Sequence, residues 1–162
     1  MVALRTVAMR AVVRAGLLTA AVLAADQATK ALVRANVDPG TSDGVFPAVE
    51  LVYVRNKGVA FGQLSGSGLA VTAVIAAALL ALLVYFATHL DRPGAWVPTG
   101  LLLGGSIGNI VDRARDGAVT DFIKLPHWPA FNLADVAITF GVLSLLYVIE
   151  RGSDRDGADG PS

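Results

Sequence analysis

Acidic, amide and basic side chains recur at four places along a chain that is otherwise strongly apolar. They are Asp26 and Lys30; then Arg55, Asn56 and Lys57; then Asn109, Asp112 and Arg113; and finally Asp121, Asn132 and Asp135. An Asp, Lys or Arg at the centre of a membrane helix costs roughly 2.5–3.5 kcal/mol on insertion scales, so such residues are kept for a reason. With four membrane spans, all four places fall on one side, which predicts a single polar site there.

Two of these residues, Asp121 and Asp135, have the chemistry of a catalytic pair. If the connection before the last helix folds Asp121 back against Asp135, the two carboxyls cannot both ionise and one keeps a proton. Such a pair can activate water and protonate a departing amine. Simpler interpretations stay open. Asp135 stands three residues after Asn132, as in a helix-capping arrangement, and Asp121 alone suits a solvated loop.

The third apolar segment carries a stripe of glycines and a polar end. Gly100, Gly104 and Gly108 recur every four residues, which favours close approach of another helix. Asn109 and Arg113 lie one helical turn apart and share a face. Arg113 then has two possible partners, a substrate or a neighbouring acid such as Asp112.

The bulk composition indicates a membrane protein. Of 162 residues, 54% are hydrophobic and 16% charged, whereas soluble domains carry about 25% charged residues. A formal net charge of zero gives no case for nucleic-acid binding. The absence of cysteine excludes disulfides and thiolate nucleophiles. His89 and His127 have no partner at metal-ligand spacing, which argues against a metal site, although carboxylates can also bind metals. An aspartic peptidase mechanism would need neither a metal nor an organic cofactor.

Hydropathy predicts a mostly α-helical membrane protein with four transmembrane helices, at about 11–30, 69–88, 96–113 and 133–150. Residues 1–150 form one integral-membrane domain, and 151–162 form a disordered polar tail. Within the 31–68 connection, residues 45–54 are β-branched and alternate loosely, which predicts a strand. The first segment alternatively resembles a cleaved signal peptide. The aromatic residues Trp96, Trp128 and Phe131 suit the membrane interfaces.

The balance of basic residues does not fix the orientation. Six Lys and Arg residues lie on the side of the termini and seven on the other side. The N-terminal cluster of Arg5, Arg10 and Arg14 favours a cytoplasmic N-terminus.

Four motifs resemble those of the lipoprotein signal peptidases, which are bacterial intramembrane aspartic peptidases. They are D-Q-A-T-K at 26–30, V-R-N-K-G-V-A-F-G at 54–62, G-G-S-I-G-N-I-V-D-R at 104–113 with V-T-D-F-I at 119–123, and F-N-L-A-D at 131–135. The resemblance implies that Asp121 and Asp135 are catalytic. It implies that a second set supports the site or binds substrate, namely Asn56, Asn109, Arg113 and Asn132. It implies a structural or supporting role for a third set, namely Asp26, Lys30, Gly62, Gly108 and Asp112. The 122–130 connection departs from the family in length.

The resemblance also implies a fold and a function. The fold is four membrane helices with a small extracytoplasmic β-cradle. The expected function is removal of prolipoprotein signal peptides, with cleavage before the diacylglyceryl-modified cysteine. Partners are then lipid-modified prolipoproteins and membrane lipids, and we expect a monomer in the bacterial inner membrane with both termini cytoplasmic.

Two other function classes use the same polar residues. A small ion-coupled transporter carries intramembrane Asp, Asn and Arg near the bilayer midplane. A structural membrane partner uses them only to pack helices. A peptidase pair differs from both because its carboxyls lie near one membrane surface and share a water.

Overall fold

The chain folds into four helices and a small sheet in a computed structural model, which describes residues 2–57, 68–89 and 92–158. The elements in order are α1 (Val2–Asn36), β1 (Ser42–Phe46), β2 (Val49–Asn56), α2 (Gly68–Thr88), α3 (Trp96–Asp116), β3 (Val119–Lys124) and α4 (Leu133–Ala158). The mostly helical fold with a small β element is confirmed.

Helix α3 lies at the centre and contacts α1, α2 and α4. Its glycines make this packing possible. A Cβ at Gly100 would lie 2.7 Å from Cβ of Leu18, and one at Gly104 would lie 2.7 Å from Cβ of Val22, both on α1. Such distances are well inside van der Waals contact. The predicted helix-packing role of the glycine stripe is therefore confirmed.

Two helical stretches of the described chain are long and apolar enough to cross a membrane, Thr6–Asn36 and Leu133–Gly152. Large apolar side chains on both are exposed, including Leu17 and Phe140. A hydrocarbon solvent suits such a surface. Helix α3 does not reach the same apolar content because its buried face carries glycines and polar side chains such as Asn109 and Asp112.

The sheet is antiparallel with the order β1-β2-β3. We predicted one strand over 45–54. The chain instead turns at Pro47 and Ala48, where Ala48 adopts a φ of 66°, so this stretch belongs to two strands of a hairpin. The third strand was missed. It follows α3 directly and pairs with β2, which places Asp121 opposite Val54.

Two helices extend beyond their predicted bounds. Helix α1 covers Val2–Asn36 rather than 11–30, and α4 continues to Ala158. We predicted a disordered tail over 151–162, but the chain is helical as far as Ala158. Hydropathy marks only the apolar part of a helix, whereas backbone hydrogen bonds continue through polar residues at little cost. The Arg151 guanidinium also lies 4.8 Å from the ring centroid of Tyr147, one turn earlier.

Candidate active site

Strand β3 brings Asp121 to the polar end of the helices. The next residue, Phe122, packs against Val33 and Val37 near the end of α1. Because successive side chains of a strand point to opposite faces, this contact directs Asp121 the other way. The Asp121 side chain is 2% exposed. It accepts hydrogen bonds at Oδ2 from Asn56 Nδ2 (2.9 Å) and at Oδ1 from Asn132 Nδ2 (2.7 Å).

The second carboxyl, Asp135, lies in the first turn of α4. Its backbone N–H donates to Oδ1 of Asn132 (3.0 Å), and the Asn132 N–H donates to Oδ2 of Asp135 (3.2 Å). This reciprocal pair is a capping box, so the capping interpretation is confirmed. The other carboxylate oxygen accepts from Asn109 Nδ2 (2.9 Å). Asp135 therefore caps α4 and also points one oxygen into the polar site.

Asn132 connects the two carboxyls. It is completely buried, and each of its side-chain hydrogen-bonding groups has a partner. Its Oδ1 accepts from Asp135, and the two N–H groups of its amide donate to Asp121 and to Asn109 Oδ1 (3.2 Å). The backbone contact fixes which end of the amide faces the carboxyls. The network holds Asp121 and Asp135 on either side of one rigid side chain.

The surroundings of Asp121 favour its neutral form. Burial, with a smaller contribution from the negative charge of Asp135, raises the pKa of Asp121 from 3.8 to about 6. Hydrogen bonds from Asn56 and Asn132 and the charge of Lys30 act in the opposite direction. Asp121 therefore keeps its proton to a higher pH than an ordinary aspartate does, up to about pH 6.

Behind Asp121 and Asp135 lies a completely buried ammonium group, that of Lys30. Lys30 Nζ contacts Asp26 Oδ2 (2.8 Å), Asp112 Oδ2 (3.1 Å) and Asn109 Oδ1 (2.9 Å). These three acceptors use all three N–H bonds of the ammonium group. Arg34 Nη1 lies 3.8 Å from the other oxygen of Asp112, so two cations balance two anions. The cluster ties α1 to α3.

Asp26 also binds the start of α4. Its Oδ1 accepts from the backbone N–H of Ala134 (2.9 Å), which is one of the otherwise unpaired donors of a helix N-terminus. Its Oδ2 lies so close to Gly108 that a Cβ at this position would clash with it. Glycine at 108 therefore gives the carboxylate the space to approach α3, and both residues support the site from behind.

Sequence reasoning missed three residues that complete this support. Gln27 Nε2 donates to Asp26, to the Gly108 carbonyl and to Asp112. The Thr120 N–H donates to Asp112 Oδ2 (3.0 Å), while its Oγ1 accepts from Arg34 (3.1 Å). Gln27 and Thr120 lie inside the motifs at 26–30 and 119–123, which was the available signal. Arg34 lies outside both motifs, and no sequence signal indicated its role.

Asn109 and Arg113 diverge despite sharing a helix face. Asn109 lies within the network, whereas Arg113 donates from Nη1 to the Asn109 backbone carbonyl (3.4 Å). Within the described part of the chain, no carboxylate lies within 4 Å of Arg113, because Asp112 is bound by Lys30, Gln27 and Thr120. Of the two partners predicted for Arg113, the described residues therefore do not supply the neighbouring acid. Gly62 lies outside the described residues.

The site is chemically suited to acid–base work. Among residues 2–57, 68–89 and 92–158, no group of three His or acidic side chains could hold a metal ion. What converges instead is a pair of carboxyls held by amides, one of which, Asp121, has a raised pKa. The fold and the site together define a helical membrane protein with the groups of a hydrolase at one end of its helices.

Comparison with known proteins gives the family. The family model described as signal peptidase (SPase) II matches residues 18–150, and the chain belongs to this family, which makes it a peptidase. The lipoprotein signal peptidase of Moorella thermoacetica is 43% identical over 147 residues, covering 88% of this chain and 97% of that protein. The one from Pelotomaculum thermopropionicum is 39% identical and covers 86% and 93%.

Solved structures agree with this assignment. Two structures, each described as a bacterial membrane enzyme, superpose with TM-scores of 0.73 and 0.80. They are 31% and 28% identical to this chain and cover 83% and 91% of it. The chain is therefore a membrane protein with their fold.

Proposed function

We propose that the protein is an aspartic endopeptidase that removes signal peptides from prolipoproteins by cutting before the diacylglyceryl-modified cysteine. The family and the names of its relatives support this substrate class. The observation that carries the aspartic mechanism is the joint binding of Asp121 and Asp135 by the buried Asn132.

In the proposed reaction, the ionised aspartate removes a proton from a water molecule, and the resulting hydroxide attacks the scissile carbonyl carbon. The protonated aspartate donates a hydrogen bond to the carbonyl oxygen as negative charge develops there. Collapse of the tetrahedral intermediate then breaks the C–N bond, and a proton passes to the leaving nitrogen. We assign the resting proton to Asp121, because burial and its neighbour raise its pKa to about 6.

The supporting roles divide between the two sides of the pair. Asn56 and Asn132 hold the two oxygens of Asp121, and Asn109 holds one oxygen of Asp135. Lys30 directs the Asn109 amide by binding its oxygen. Arg113 is proposed to bind the substrate, because the described acids leave its guanidinium uncompensated at the membrane edge.

The proposed membrane arrangement has four spans, cytoplasmic termini and an extracytoplasmic sheet and active site in the bacterial inner membrane. The apolar stretches of α1 and α4 support two of the spans. The pairing of β2 with β3 supports a common side for the two polar connections. The transporter alternative is less favoured because Asp121 lies on a strand beyond α3 rather than at a helix midpoint.

Cleavage of a lipidated precursor by the purified protein tests the proposal. Asp121→Asn and Asp135→Asn should each lower turnover at least about a thousandfold while the protein stays folded, because residues that act as a unit fail together. The exposed Asp43 on β1 provides the matched control Asp43→Asn, which should cleave normally. Near-normal turnover by either dyad variant would refute the aspartic mechanism. Equal cleavage of the unlipidated precursor would refute the substrate class.

A further inference from the structure

Arg34 lies in the last turn of α1, one turn beyond Lys30 and on the same face of the helix. The proposed peptidase reaction uses neither Arg34 nor Thr120, the residue before Asp121 on β3. A basic residue in the last turn of a helix is commonly explained by the helix dipole. The contacts of Arg34 lead instead to two other elements, because its Nη1 lies 3.1 Å from Thr120 Oγ1 and 3.8 Å from Asp112 Oδ1.

Thr120 is bound to the helices through its side chain and its backbone. Its Oγ1 accepts the hydrogen bond from Arg34, and its backbone N–H donates to Asp112 Oδ2 (3.0 Å). Thr120 is 3% exposed, so both bonds are shielded from water. Arg34 belongs to α1 and Asp112 to α3, so one residue of β3 is joined to two helices. Two bonds from different directions fix both the position and the tilt of the strand at this residue.

The position of Asp121 relative to the helices depends on these bonds. Asn56, which binds Asp121 Oδ2, lies on β2 of the same sheet and therefore moves with β3. Phe122 packs against α1, but apolar packing is non-directional and does not fix a strand as hydrogen bonds do. Asn132 binds Asp121 Oδ1 from the start of α4. The contacts of Thr120 are thus the directional link from β3 to α1 and α3 that lies closest in sequence to Asp121.

The two basic residues of this face of α1 differ in burial. The Lys30 side chain is fully buried, whereas that of Arg34 is 26% exposed. Asp112 also accepts from Gln27 and Lys30, so it keeps partners when Arg34 is removed. The loss of Arg34 is therefore less costly for folding than the loss of Lys30. An effect of Arg34 on catalysis can thus be measured in a folded protein.

We propose that Arg34 and Thr120 are positioning residues for the peptidase reaction, and that the hydrogen bond between them holds β3, and with it Asp121, where the reaction needs it. This inference rests on the proposed function, because the position of Asp121 affects the rate only if Asp121 is catalytic. Both residues act through β3 rather than on the substrate. Misplacement of a reacting group by about 1 Å costs on the order of a hundredfold in rate. A loosened β3 therefore lowers kcat and changes KM little.

A double-mutant cycle on cleavage of the lipidated precursor tests this inference. Arg34→Met and Thr120→Val each remove the bond, and valine keeps the shape of threonine and suits a strand. Each should lower kcat about tenfold and leave KM within about twofold. The double variant should be no slower than the slower single variant, because both changes remove one interaction. Arg34→Lys can still donate to Thr120 and should recover most of kcat. The controls Arg115→Met and Thr88→Val, at exposed positions, should have normal kcat.

Normal kcat in Thr120→Val, or additive losses in the double variant, would overturn the inference and leave Arg34 only the role of balancing the charge of Asp112. Thr120→Val keeps every charge, so it decides the matter even if Arg34→Met does not fold.

Hydrogen exchange gives a second measurement that does not need activity. The backbone N–H at position 120 should exchange at least about tenfold faster in either single variant than in the wild type, and at the normal rate in Arg115→Met. Unchanged exchange in both Arg34→Met and Thr120→Val would show that the bond does not hold β3. If the wild type fails to cleave the precursor, the proposed function fails, whereas the exchange rates still test the contact between Arg34 and Thr120.

Discussion

At the scale of single residues, the site depends on amides rather than on direct contact between charges. Asn132 contacts both carboxyls and Asn109, and it is completely buried. A buried amide with every donor and acceptor used has one stable orientation, since any rotation leaves a polar group unpaired. Burial and the nearby charge of Asp135 raise the pKa of Asp121, and both predictions at this scale concern charge.

The first prediction concerns the proton on Asp121. Its carboxyl should titrate near pH 6, neutral below that pH and charged above it. Asp135→Asn should lower this pKa, because it removes a negative charge that favours the protonated form. Carbon NMR of aspartate labelled at the carboxyl carbon would measure both values, with Asp121→Asn used to assign the signal. An unchanged or higher pKa in Asp135→Asn would show that the two carboxyls do not interact.

The second prediction concerns Arg113. Arg113→Lys should lower kcat/KM for the lipidated precursor at least about fivefold, because a point charge cannot reproduce a planar fork. The melting temperature should fall little, since the structure gives Arg113 a 3.4 Å hydrogen bond within its own helix and no ion pair. Arg115→Lys, two residues later and exposed, should change neither quantity. A large loss of thermal stability with normal turnover would make Arg113 a structural residue.

At the scale of elements, ionic contacts hold the helices in the arrangement that the site needs. Asp26 on α1 binds both Lys30 and the first turn of α4, and Asp112 on α3 binds both Lys30 and the backbone before Asp121. A buried charge without its partner is strongly unfavourable. The relative positions of α1, α3, α4 and β3 are therefore coupled through one cluster.

The third prediction tests this coupling. Lys30→Met should destabilise the protein by about 3–5 kcal/mol, because it leaves a buried negative charge uncompensated. Adding Asp112→Asn restores a neutral cluster and should recover part of that loss. Thermal unfolding in detergent would measure all variants, and Lys57→Met serves as an exposed control. If the double variant is less stable than Lys30→Met alone, charge balance is not what Lys30 supplies.

At the scale of the whole molecule, the features lie at the two ends of the helices. The sheet and the carboxyl pair occupy one end, and a cavity between the ends of α2 and α4 occupies the other. The distance along α4 between Asp135 and Arg151, which lines this cavity, is about 24 Å and is somewhat less than the roughly 30 Å hydrocarbon core of a bilayer.

The fourth prediction concerns orientation. The chain has no cysteine, so an introduced one is the only thiol. In intact cells, Ser42→Cys on β1 should react with a membrane-impermeant maleimide, and Ser153→Cys in α4 should react only after lysis. Labelling of Ser153→Cys from outside would reverse or break the proposed four-span topology. Loss of the first segment from the mature protein would also contradict it.

The sequence by itself predicted the membrane class, the mostly helical fold and the candidate residues of the site. Long apolar segments can be recognised from the sequence because they are local properties of the chain. The same holds for the cost of polar side chains within them. The motif resemblance identified the family, and the comparisons confirm it. Spacing alone also predicted the capping arrangement of Asn132 and Asp135, because a capping box involves residues three apart.

Only the tertiary structure decided which polar residue contacts which. The partners of Lys30 on α3 and of Asp26 on α4 lie 79 and 108 residues away along the chain. No periodicity links such positions. Strand β3 was missed for a related reason, since its pairing with β2 joins segments about 65 residues apart. Arg113 shows the same limit, because the acid beside it in sequence was already bound by Lys30 from another helix.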